Sequence, residues 1–237
     1  MDKHALYFSE MMYAELSFPK IDLTTIDSFL SQIEIPASRQ ELRKKISSLC
    51  PVSDQTFQLF NHGFKPLTLG PDQLFCTAEQ CPNRILFVQK GLLRGYYKGE
   101  KQQATSWFAG PNEFIIPNHF FAQEPGQEYI QSLENSSLLA LDYQTCLKMY
   151  LASNDISPLF LKLMEEKQQK STARERMLRI PNAERRFQRL TQEMPELLQS
   201  VKDDILASYL NVTRRHLERI KVLALKNRNQ DLNQPFS

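Results

Sequence analysis

The sequence predicts an α+β protein in three parts: an antiparallel β-roll, one long helix and a C-terminal helix-turn-helix. Three observations predict it. All seven glycines (63, 70, 91, 95, 99, 110 and 126) fall within one window of 64 residues, and turn-rich β-structure needs glycine where helices avoid it. From about 157 to 178 only Pro158 is a helix breaker, and proline is tolerated in a first turn. Near the end, "LASYLNVTRRHLERIK" (206–221) would be a single amphipathic helix but for an interruption at its middle.

Taken in order, residues 1–38 carry a predicted helix at 24–33 but no interpretable motif. Residues 39–62 ("RQELRKKISSLCPVSDQTFQLFNH") read as helical and would pack against the β-module. "RILFVQ" (84–89) and "LLRGYY" (92–97) flank a Lys90–Gly91 turn and predict a hairpin. "ATSWF" (104–108), "EFII" (113–116), "YIQSL" (129–133) and "LLALD" (138–142) continue the series. Short strands at such spacing imply an antiparallel roll, sandwich or barrel. In the long helix, Ile156, Leu159 or Phe160, Leu163, Ala173 and Met177 fit a heptad-like seam. Glu166, Lys167 and Lys170 interrupt it at the centre, so the seam is expected to pair two subunits through its ends, with the polar middle solvated or paired across the axis. Asn182 then caps a helix, "AERRFQRLTQEM", which leads through Pro195 to the last motif.

In that motif Leu206, Ala207 and Leu210 bury one helical face. Asn211 tolerates the left-handed conformation and ends the first helix. Thr213 accepts a backbone N–H bond and caps the second. Leu217 and Ile220 then face inward, leaving Arg214, Arg215, His216 and Arg219 toward solvent. Exposed donors at the start of a second helix suit phosphates and guanine edges. An ordinary helical hairpin with a basic surface is the other reading of these residues.

Charge is unevenly divided. Residues 1–170 carry a net charge of −3 and residues 171–228 a net charge of +6, as expected for a polyanion-binding end on a slightly acidic body. No run approaches 18 apolar residues, and the N-terminal "MDKHALYFSEMMYAEL" lacks the order of a signal peptide; cytoplasmic residence and no membrane partner are expected. Cys50, Cys76, Cys81 and Cys146 form no CxxC pair, and the four histidines are dispersed without an HxH. These spacings support no metal site, no iron–sulfur cluster and no cupin-type metalloenzyme. No catalytic triad or carboxylate pair is identifiable, so enzymatic activity is not expected.

The β-roll, long helix and helix-turn-helix, in that order, resemble the Crp/Fnr superfamily of bacterial transcription regulators over roughly residues 39–225. The resemblance rests on "ILFVQKGLLRGYY", "SLENSSLLALD", "NAERRFQRLTQEMPELLQ" and "DDILASYLNVTRRHLERIK", the latter two being similar to the regulators found in Bacteroidetes. It implies a cyclic-nucleotide-binding-like jelly roll at 39–155, a dimerisation helix at 156–179 with contacts at Leu159, Leu163, Ala173 and Met177, and a DNA-binding domain at 180–237. Partners implied are double-stranded DNA, a second copy of the chain, RNA polymerase and an unidentified small-molecule effector. Arg214 and Arg219 take the positions that reach guanine edges or phosphates. Arg215 replaces the acidic residue that often reads cytosine, which changes the expected operator. His216 is assigned a phosphate contact, and Thr213 a cap with a phosphate contact besides.

The family's cyclic-nucleotide pocket uses a Gly-Glu pair for the ribose and an Arg-Ser pair for the phosphate. Those positions fall on Ile116 and Pro117, and on Gln127 and Glu128. A phosphate there would be desolvated and repelled, so no cofactor is expected and cyclic AMP is not the expected effector. Trp107, Phe120, Phe121 and Tyr129 either line an apolar pocket or pack the core. After the recognition helix only "LALKNRNQDLNQPFS" remains, so the usual β-hairpin wing is expected to be reduced or absent.

Overall fold

A computed structural model describes residues 37–100 and 102–232. The helix expected at 24–33 lies outside them. The stretch 39–62 forms two helices, α1 (Ala37–Leu49) and α2 (Asp54–Gly63). The break falls at Cys50–Ser53 because Pro51 cannot continue α1 and Ser53 caps α2, its hydroxyl accepting from Thr56 N at 3.2 Å.

Eight strands follow: β1 (Lys65–Leu69), β2 (Leu74–Cys76), β3 (Arg84–Lys90), β4 (Leu93–Lys98), β5 (Gln103–Ala109), β6 (Phe114–Ile115), β7 (Tyr129–Ser132) and β8 (Ser136–Asp142). They form two antiparallel four-stranded sheets, ordered β1-β8-β3-β6 and β2-β7-β4-β5. The predicted hairpin across Lys90–Gly91 is therefore corrected: β3 and β4 belong to different sheets, and the turn carries the chain from one to the other. Gly91 makes this possible with φ +106°, where an added Cβ would lie 2.1 Å from Ser136 Oγ. Gly91→Ala should lower stability by roughly 1–3 kcal/mol, read as a shifted denaturant midpoint at unchanged slope. The hairpin that does form is β4–β5, with Leu93 opposite Ala109 and Lys98 opposite Gln103.

Period-two alternation distributes the core. On β3 and β8, Leu86, Val88, Leu138 and Ala140 point between the sheets. Ile85, Phe87, Leu139 and Leu141 point the other way, onto a helical layer. A strand buried on both faces reads as an unbroken apolar run, which is why "RILFVQ" was conspicuous.

The helices after the roll are α3 (Tyr143–Ala152), α4 (Ile156–Leu178), α5 (Ala183–Glu193), α6 (Leu197–Ser200), α7 (Asp203–Tyr209) and α8 (Arg214–Leu232). Asp142 caps α3, accepting from Thr145 N at 2.9 Å. Asp155, at the start of α4, accepts from Ser53 N, Ser53 Oγ and Thr56 Oγ1 at 2.8–2.9 Å, which joins α4 to α2. These donors hold its carboxyl below the ordinary aspartate range. No helix among the described residues is long and apolar enough to cross a membrane.

Candidate nucleic-acid interface

The helix-turn-helix is built by its capping residues. Asn211 sits at φ +53° and turns the chain out of α7, with Val212 N donating to Ala207 O at 3.0 Å. Thr213 Oγ1 accepts from His216 N at 3.2 Å and starts α8. Leu206, Ala207, Leu210, Leu217 and Ile220 are all buried in one cluster with Phe187 and Leu190 of α5. An ion pair between Lys221 and Asp203 clamps α8 to α7.

Burial of that face leaves Thr213, Arg214, Arg215, His216 and Arg219 exposed together on the first turns of α8. Arg214 pairs with Glu218 one turn on at 3.1 Å, in an exposed geometry worth little energetically. Arg215 and Arg219 have no hydrogen-bond or ion-pair partner among the described residues. Thr213 and His216 line an open cleft of about 570 Å³ that also takes in the N-terminus of α5 from Pro181 to Glu184. Asn182 caps α5 as expected, its Oδ1 accepting from Glu184 N at 2.7 Å and Arg185 N at 3.1 Å. Two helix N-termini and exposed cations thus border one surface, an arrangement suited to anionic backbone groups. Beyond residue 221 the chain continues as α8 to Leu232.

Sequence reading missed how this unit is held. It docks on the outer face of the β4–β5 hairpin, with Leu92 and Phe108 in its core cluster. Ser208 Oγ donates to Thr105 Oγ1 at 2.7 Å and accepts from Thr105 N at 3.3 Å. Arg174 of α4 stacks on Tyr209 at 4.4 Å and donates to Thr105 O. Burial lowers the Arg174 pKa and raises that of Tyr209. Small polar residues in a strand and a helix give no sign in the sequence that they will meet.

The assignment of α4 side chains to a subunit seam is corrected. Leu159 and Leu163 belong to the core between the helices and the first sheet, and Met177 to the core of the helix-turn-helix unit; only Ala173 is exposed. The polar middle is spent within the chain as well. Glu166 pairs with Lys45 at 2.7 Å, Lys170 with Glu113 at 2.6 Å, and Lys167 donates to Ile116 O and Asn118 Oδ1 at 2.8 Å each. The face left to solvent is Leu161, Met164, Gln168, Ser171 and Glu175, a three-four spacing with apolar residues at its N-terminal end.

The four pocket positions divide. Ile116, Pro117 and Glu128 are buried, whereas Gln127 is exposed. Trp107 lies against Gly95, Phe120 joins the core, Tyr129 stacks on Tyr96 at 5.1 Å, and Phe121 is exposed. Packing thus accounts for three of the four, and Phe121, though half exposed, meets Phe120 and Phe160 edge-on at 5.1 and 5.6 Å. Among the described residues, no group of three or more His, Cys, Asp or Glu side chains is placed to hold a metal ion.

No protein-family model matches the chain, and no curated protein matches it in sequence. Its fold has solved counterparts. The chain is similar to FixK2 of Bradyrhizobium japonicum over 73% of its own length and 88% of that protein's, at 11% identity and a TM-score of 0.59. It is similar to CLP, a c-di-GMP responsive global regulator of Xanthomonas campestris, over 74% and 93%, at 12% identity and 0.60. It is similar to CooA of Carboxydothermus hydrogenoformans over 74% and 81%, at 15% identity and 0.58. A Eubacterium rectale protein placed in the Crp/Fnr family aligns over 76% and 88%, at 12% identity and 0.59. The chain shares the fold of these four structures.

Proposed function

We propose that this chain is a homodimeric, sequence-specific DNA-binding transcription regulator of the Crp/Fnr type that works in the cytoplasm and does not respond to cyclic AMP. The observation that carries the reading is the set of exposed donors, Arg214, Arg215, His216 and Arg219, on the first turns of the second helix of a helix-turn-helix. Arginine forks donate bidentately to guanine O6 and N7, and the helix start is where such contacts are made.

One such module makes too few base contacts to discriminate within a genome, and two-fold symmetry doubles them. The outward stripe of α4, headed by Leu161 and Met164, supplies a face for the second copy. Selection from a random duplex pool should return a palindrome with half-sites about 34 Å apart. A single asymmetric half-site would count against the dimer.

Resistance to cyclic AMP rests on Glu128, a buried carboxylate where the family places a phosphate-binding pair. Binding to the folded state raises its melting temperature by mass action. Millimolar cyclic AMP should therefore leave thermal unfolding unchanged, and a clear upward shift would refute this part of the reading.

A further inference from the structure

We infer that the buried Glu128 carboxylate is a positioning residue that ties β5 and the segment after β6 to the middle of α4. Glu128 is 5% exposed. Its Oε1 accepts from Trp107 Nε1 at 2.7 Å, and its Oε2 accepts from the backbone N–H of Asn118 at 3.2 Å. An indole N–H and a peptide N–H can only donate, so both carboxyl oxygens must accept. An amide at this position would turn its own NH₂ toward one of them.

The fold makes room for this arrangement. The Trp107 indole lies on the bare backbone of β4, where a Cβ on Gly95 would come within 2.1 Å of the ring. Asn118 then carries the link onward. Its side-chain NH₂ donates to Tyr97 Oη at 2.9 Å, and its Oδ1 accepts from Lys167 Nζ at 2.8 Å. Lys167 reaches inward from the middle of α4 and donates also to Ile116 O. Burial lowers the Lys167 pKa, and Glu128 is the carboxylate whose charge opposes that shift. One carboxylate thus joins β5, the segment after β6, and, through Asn118, the long helix. An incoming phosphate would meet that charge in a desolvated site.

This inference rests on the proposed function only for its consequence on DNA, so two readouts are needed. In the full chain, Glu128→Gln should speed amide hydrogen exchange about tenfold at Ile116, Asn118 and His119 and at residues 163–170, as one buried donor loses its acceptor. Exchange at Phe57–Phe60, in the layer over the other sheet, should stay at the wild-type rate. DNA affinity should fall by a similar factor. Wild-type exchange throughout E128Q would overturn the inference. So would uniform acceleration across the roll, which would make Glu128 a source of general stability only. Should E128Q fail to fold, Trp107→Phe removes a single donor and must accelerate the same segments for the inference to stand. If the wild-type chain does not bind duplex DNA, the proposed function fails, while the exchange measurement still decides this one.

Discussion

Leu163→Glu is expected to unfold the β-roll. Leu163 is 4% exposed in the cluster that joins α4 to Leu42, Ile46, Phe87 and Leu139. A carboxylate placed there has no designated cation, and an uncompensated buried charge costs roughly 3–5 kcal/mol. Loss of the leucine methyls adds a further 2–5 kcal/mol, which together approaches the whole stability of a domain. Thermal unfolding of the variant should show no cooperative transition at the wild-type temperature. Leu161→Glu, two residues away, should behave oppositely. Leu161 is 71% exposed, so the fold should persist while sedimentation shows a weakened dimer. A folded Leu163→Glu chain that sediments as a monomer would place the seam on the inward face after all.

Arg214→Ala and Arg219→Ala should each weaken binding to the selected operator by roughly 1–3 kcal/mol and relax one base position if the side chain reads a guanine. Arg214 must first leave Glu218, an exposed pair whose loss costs little. Arg219 has no partner to leave among the described residues. Titration of operator and random duplex side by side separates the roles. A base-reading arginine lowers operator affinity more than random affinity, whereas a phosphate contact lowers both equally.

The helix-turn-helix was legible because its signals are local. Asn211 takes the left-handed conformation, and Thr213 caps α8 whatever the chain does elsewhere. The limits of α4 were legible for the same reason, since no breaker lies between Ile156 and Leu178 save a proline in the first turn. Its orientation was not. Apolar residues at seven-residue spacing look alike whether they face a partner or the same chain's sheet, and Lys45, Glu113 and Asn118 lie 49–121 positions from the α4 groups they satisfy. The sheet switch at Gly91 failed similarly, because a Lys-Gly turn between two apolar runs marks a reversal without saying which strand comes alongside. Strands β1 and β2 escaped notice because one contains Pro66 and the other spans three residues. Glu128 is a position the sequence singles out, whereas its two donors come from β5 and the segment after β6 and meet it only in the fold.

The central claim is that the exposed cations of α8 engage nucleic-acid phosphates, and the salt dependence of duplex binding tests it most directly. With the full chain, the logarithm of the association constant should fall linearly with the logarithm of salt concentration, each neutralised phosphate contributing about −0.9 to the slope. If Arg215 and Arg219 contact phosphates, replacing either by alanine should make the slope shallower by about one. A slope near zero for the wild-type chain, or one unchanged when both arginines are removed, would contradict the account.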